Sequence, residues 1–138
     1  MATSTEFVIR MEDRPGTLGK LARRLADRGV NVLALQSTPF EGQSQVRLVV
    51  DNASTAKTVL DNDGVSYKEE KVAQVTLPHR PGELARAATR LGEANININH
   101  VYGGLEPRTN QPILIFGVAD VERASTILDQ VATTAKAA

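Results

Sequence analysis

Phe7, Ile9 and Met11 alternate with Val8 and Arg10, which predicts a strand with one clearly apolar face. The period then lengthens. Leu18, Leu21, Ala22 and Leu25 fall on one helical stripe, opposite Lys20, Arg23, Arg24, Asp27 and Arg28. Gly29 is placed to terminate that helix. Asn31 opens a second strand, with Val30 and Val32 on one face and Leu33 and Leu35 on the other. Glu41-Gly42-Gln43 reads as a hairpin turn, and Val46, Leu48, Val49 and Val50 as a third strand. Asn52 or Ser54 caps a second helix that turns Ala53, Ala56, Val59 and Leu60 inward. Asn62-Asp63-Gly64 stops it, and residues 65–70 read as a fourth strand.

The series then begins again. Ala73, Val75 and Leu77 predict a strand, and Leu84, Ala87, Ala88 and Leu91 the core stripe of a helix. Ile96, Ile98 and Val101 continue as a strand, a longer loop spans residues 103–110, and residues 113–118 have the unbroken apolar run of a buried strand. Asp120 caps a last helix with Val121, Ala124, Ile127, Leu128 and Val131 inward, and the tail from Thr133 has no strand character. The order β-α-β-β-α-β is that of the ferredoxin-like unit. The expected fold class is α+β, with two such units in tandem at residues 6–70 and 71–132. The second lacks its last strand.

Sequence identity supports the duplication. Residues 11–38 align without a gap on residues 77–104, an offset of 66, and Arg14, Pro15, Gly16, Leu18, Ala22, Arg24, Leu25 and Asn31 recur in register. The shared centre is Asp13-Arg14-Pro15-Gly16, repeated as His79-Arg80-Pro81-Gly82. Proline cannot donate to a strand ladder and ends the strand. Glycine allows a sharp bend and close approach to the main chain. The helix that follows points unpaired amides and its positive dipole end into the opening, a geometry that suits a carboxylate. The plainer reading of one such motif is a strand-to-helix corner, and its recurrence in matched surroundings weighs against that.

Composition narrows the function classes. Sixteen basic residues balance sixteen acidic ones, so no global charge favours nucleic acid or an anionic membrane. Cysteine is absent, which removes disulfide and thiolate chemistry and is compatible with a reducing cytosol. The first residues lack the basic and apolar regions of a signal peptide, and no stretch approaches the roughly 18 apolar residues of a membrane span. A cytoplasmic protein with no membrane partner is the default expectation.

With the repeated loops in view, the chain resembles tandem ACT-domain proteins, small β-α-β-β-α-β modules that bind amino acids and regulate enzymes or transport. Asp13-Arg14-Pro15-Gly16 with Gly29-Val30-Asn31 resembles that family's ligand-loop pattern, and His79-Arg80-Pro81-Gly82 with Asn95-Ile96-Asn97 resembles it again. The resemblance implies a ligand where two modules meet. Its contacts would come from Asp13, Gly16 and Asn31 in the first copy and from His79, Gly82 and Asn97 in the second. Asparagine both donates and accepts, so it can hold either end of an amino acid. Asp13 favours an ammonium group, whereas histidine as a residue type is neutral or charged near neutral pH, so the two loops need not bind equally.

Competing chemistries are weaker. His79 and His100 are the only histidines, so a metal site would need scattered carboxylates, and neither metal nor cofactor is expected. No Gly-x-Ser-x-Gly motif occurs, Gly103-Gly104 lacks the lysine and helix start of a phosphate loop, and no acid–base cluster points to an enzyme. An RNA-recognition module shares the element order, but Phe7 and Phe116 are the only aromatics of the central strands, so no nucleic-acid partner is expected. The expected function is an amino-acid-binding regulatory protein that signals to a partner, itself an enzyme or a regulator. The alternative is a ligand-independent assembly module. A homodimer is expected on either reading, because Leu33, Leu35, Val8 and Val49 would otherwise form a bare sheet face.

Overall fold

The computed structural model describes residues 3–137. The elements are β1 (Thr3–Glu12), α1 (Thr17–Asp27), β2 (Val32–Phe40), β3 (Gln43–Val50), α2 (Ala53–Asn62), β4 (Ser66–Thr76), α3 (Glu83–Glu93), β5 (His100–Leu105), β6 (Pro112–Gly117) and α4 (Val121–Ala137). The fold is α+β. It divides into two compact units: Thr5–Glu70, and residues 71–137 together with residues 3–4. The long strand β4 passes from the first unit into the second at Glu70.

In the first unit β3 is central, paired antiparallel with β1 (Phe7 opposite Leu48) and with β2 (Leu35 opposite Leu48), and β4 lies beside β1. Leu21 and Leu25 of α1 and Ala56, Val59 and Leu60 of α2 bury against Phe7, Ile9, Val46 and Leu48. Each large apolar side chain removed from water here is worth roughly 1.5–3 kcal/mol. The local signals act where expected. Glu41 and Gly42 take positive φ in the two-residue hairpin, and Asn52 caps α2 by accepting from Thr55 N at 3.1 Å.

A bulge between Val32 and Ala34 changes one expectation. The extra residue reverses the alternation of β2, so Leu35 falls opposite Leu48 on the helix face and Ala34 falls opposite Val49. The bare face of Leu33, Leu35, Val8 and Val49 therefore does not exist as expected: Val8 and Val49 are buried and Leu35 points to the other side. That non-helical face also carries Glu6, fully buried, whose Oε1 accepts from Arg47 Nη1 at 2.7 Å.

In the second unit β6 is central between β4 and β5. Ala87 and Leu91 of α3 and Ala124, Leu128, Val131 and Ala135 of α4 close its core over Val75, Leu77 and Phe116. No strand follows α4 among the described residues, yet the fourth-strand position is not left vacant. Residues 3–4 at the start of β1 belong to this unit, where the Ser4 hydroxyl donates to Gln74 Oε1. Two boundaries also move. The strand expected from Ile96 begins only at His100, after the polar run Asn95, Asn97 and Asn99 in which Asn95 has φ 59°. Gly103 and Gly104 belong to β5, paired with Leu114 and Ile113, so they are strand and not connector. The turn itself is tied by Glu106, whose Oε2 accepts from Thr109 N at 2.9 Å.

Removing one partner of a buried ion pair weakens the support of the charge that stays in the interior, and Arg47 also pairs with Glu70 at 3.5 Å. Arg47→Ala is therefore expected to cost about 3–5 kcal/mol in urea unfolding. A loss below about 1 kcal/mol would show that the Glu6–Arg47 pair is solvated like a surface bridge.

Candidate functional site

The two Arg-Pro-Gly corners are built alike. Gly16 has φ 90° and ψ −16°, and Gly82 has φ 92° and ψ −14°. Lys20 N donates to Gly16 O at 3.0 Å and Arg86 N to Gly82 O at 2.9 Å, which starts each helix. Each helix ends the same way, with Val30 N on Leu25 O and Ile96 N on Leu91 O. The glycines are required by backbone angle. A Cβ at either position would meet nothing within 4 Å, so the close approach expected from sequence is not what demands them. Neither helix start receives a side-chain cap.

Of the six predicted residues, Gly16 and Gly82 form the corners, Asp13 and His79 come just before Arg-Pro-Gly, and Asn31 and Asn97 follow the far ends of α1 and α3. Asp13 is exposed, and its Oδ1 accepts from Ser44 Oγ at 3.1 Å. Asn31 is exposed, with its main chain clamped by Asp51: Asn31 N donates to Asp51 Oδ1 at 2.9 Å and Asn31 O accepts from Asp51 N at 3.0 Å. His79 is exposed, and Asn97 Nδ2 donates to Asn99 Oδ1 at 3.0 Å. Among the described residues, no hydrogen bond or ion pair joins Asp13 to Asn31 or His79 to Asn97. The two copies are thus alike in main chain and unlike in side chains.

The larger difference was not singled out from the sequence. Glu83 is the first residue of α3, buried, with Oε2 taking Arg80 Nε at 2.6 Å and Oε1 taking Arg86 Nη2 at 2.8 Å. The hydrogen bonds from Arg86 and then Arg80 hold its carboxyl below the usual carboxylate range. Its counterpart in the first copy is Thr17, flanked by Arg14 and Lys20. The second corner thus carries a buried anion in the first turn of its helix, and the first does not. The repeat carries the signal as the Thr17/Glu83 mismatch, but only the tertiary structure decides where that carboxylate goes.

Among the described residues, no group of three or more His, Cys, Asp or Glu side chains is placed to hold a metal. Phe7 and Phe116 are fully buried in the two cores, so neither offers a face for stacking a base. No helix among the described residues is long and apolar enough to cross a membrane.

Residues 5–61 match the family model of the ACT domain. The ACT domain-containing protein ACR3 of Arabidopsis thaliana is 28% identical over 97 residues, 69% of this chain. The UPF0735 ACT domain-containing protein ABC1543 of Shouchella clausii is 42% identical over 48 residues, 34% of this chain. The matched stretches span only 21% and 33% of those two proteins. Among solved structures, protein BT0572 from Bacteroides thetaiotaomicron superposes with a TM-score of 0.81 at 19% identity, covering 94% of this chain and 88% of that one. The regulatory subunit of aspartate kinase from Thermus thermophilus, in its ligand-free form, gives a TM-score of 0.62 at 20% identity, covering 94% and 92%. At these identities the structural likeness is one of fold.

Two outcomes test the corners. Gly16→Ala and Gly82→Ala each force an L side chain into the left-handed region and are expected to cost about 1–2 kcal/mol in chemical denaturation; no loss would mean the corner relaxes. Glu83 has a lowered carboxyl pKa in the folded state, so its contribution is present above the ordinary carboxylate value and is lost as pH falls through the folded one. Glu83→Gln should therefore be less stable than the parent near neutrality, with the difference shrinking as pH falls from about 5 to about 3. A difference that stays constant over that range would remove the ionised carboxylate as its cause.

Proposed function

We propose that this chain is a non-catalytic tandem ACT-type protein that binds a small amino acid at its Arg-Pro-Gly corners and passes the bound state to a partner, an enzyme or a regulator. One observation carries the reading: the same corner is built twice, with a left-handed glycine and an uncapped helix start. Helix amides without a side-chain cap favour a carboxylate. Asp13 and His79 are the side chains available beside the two corners, with Gly16 and Gly82 shaping the main chain, and Asn31 and Asn97, which follow the far ends of α1 and α3, are the contacts that a second module of this kind would supply. The named relatives and the aspartate kinase regulatory subunit support a regulatory role by family resemblance.

The loops differ in one way that bears on stoichiometry. Glu83 already places a carboxylate at the start of α3, so the first corner is the stronger candidate. The second reading, ligand-independent assembly as a homodimer, draws on the exposed Leu35, Phe40, Leu84 and Leu105. It loses its expected continuous face with the burial of Val8 and Val49.

A thermal-shift screen against the proteinogenic amino acids tests the choice, because a ligand that binds only the folded state raises its stability. The expected result is a rise in Tm with one or a few amino acids that Asn31→Ala or Asp13→Ala abolishes. No rise with any amino acid at millimolar concentration, in a protein that light scattering finds dimeric, would favour the assembly reading instead.

A further inference from the structure

The two units also differ in how their helices end, and the difference opens a groove. In the second unit α4 runs for 17 residues, and its later part buries Val131 and Ala135 in the same core as Leu77 and Ala87. Arg86 Nη2 ties this helix to the corner: it donates to Val131 O at 3.1 Å as well as to Glu83 Oε1 at 2.8 Å. In the first unit α2 stops after 10 residues at Asn62. Nothing corresponding to Val131 follows, because the chain turns at Gly64 into β4.

What remains is a groove of ≈ 410 Å³ between α1 and the end of α2. Its α1 and β1 walls include the counterparts, at the 66-residue offset, of Glu83, of the Arg86 that holds it, and of two residues that share a core with Val131 in the other copy. Met11 and Leu21 stand for Leu77 and Ala87, Lys20 for Arg86, and Thr17 for Glu83. Val65 adds a third apolar wall, and an ion pair between Arg24 Nη1 and Asp63 Oδ1 at 2.9 Å lies at the rim. Arg24 is thereby engaged, whereas no carboxylate is ion-paired with Lys20 among the described residues. Arg14, the other cation of the corner, is bridged to Glu12 at the exposed surface, a contact of little strength.

We propose that this groove binds a short branched aliphatic carboxylate. The second unit supplies both features from its own chain: the Glu83 carboxylate held by Arg86, and the branched Val131 side chain buried in the core with Leu77 and Ala87, its carbonyl accepting from the same Arg86 nitrogen. A free ligand supplies the same two features to the first unit. Its carboxylate meets the Lys20 ammonium and the Thr17 hydroxyl, and its aliphatic end packs on Met11, Leu21 and Val65. The volume is within the range of small-molecule sites, and the mixture of apolar walls with a few polar groups is their usual composition. None of Asp13, Gly16 and Asn31 lines the groove, so this reading shares only the start of α1 with the proposed function and differs in the side chains that hold the ligand.

Calorimetry on the full chain with 3-methylbutanoate, 4-methyl-2-oxopentanoate and leucine tests it. All three share the branched carboxylate, and their ranking tells whether the 2-position carries a hydrogen, an oxo group or an ammonium. At least one is expected to bind, with Lys20→Gln weakening it about tenfold or more, the effect of losing one charge-assisted contact. Thr17→Glu plants the anion that the second unit already has; it should abolish binding and leave Tm equal to or above that of the parent. Methyl resonances of Leu21 and Val65 should shift on titration. The proposal is overturned if none of the three binds at millimolar concentration, including the case where the groove instead takes a partner helix. It is also overturned if Thr17→Glu, folded by circular dichroism, binds as the parent does. Asn31→Ala separates the two readings, since it should weaken the corner site and leave groove binding intact.

Discussion

Each unit depends on one backbone constraint, a glycine held near φ 90° where a strand must become a helix. Proline before it ends the ladder, and the left-handed step turns the chain so that the next residue begins α1 or α3. The direction of the helix follows from that step. So does the placement of its apolar stripe, Leu21 and Leu25 in one copy, Ala87 and Leu91 in the other, over the sheet. The candidate site is a by-product of the same step, because a helix begun by glycine has no side-chain cap.

A duplicated frame lets each copy serve as the control for the other. Main-chain hydrogen bonds at the corners agree to about a tenth of an ångström, while the side chains set upon them diverge. In the second copy an arginine pair, a buried glutamate and a long helix close the region around the corner. The first copy has a threonine, a lysine and a short helix there, and a groove remains. One unit is thus filled by its own chain where the other presents a cavity. Such asymmetry suits a protein in which one copy supports and the other binds.

Much of this was legible in the chain. Helix and strand periods, the hairpin at Glu41-Gly42, the caps Asn52 and Asp120, and the repeat itself are local signals, and local chemistry is enough to decide them. The six candidate ligand residues were likewise readable as a motif; all six are exposed, with Gly16 and Gly82 at the corners, Asp13 and His79 just before Arg-Pro-Gly, and Asn31 and Asn97 past the far ends of the helices. Glu83 was not readable as an internal anion. Its partner Arg86 also holds the carbonyl of Val131, 45 residues further along the chain, and no local pattern reports such a contact.

The sequence by itself determined the elements, their order and the duplication, because these follow from side-chain periodicity, proline and glycine geometry and residue identity at a fixed offset. Tertiary structure decided the facing of β2, since a single bulged residue reverses alternation and no composition rule places it. It also decided which strand completes the second unit, because the start of β1 lies far from that unit in the chain and joins it only through pairing in space. Whether a corner is filled or open was decided there too, because that depends on where a distant helix stops.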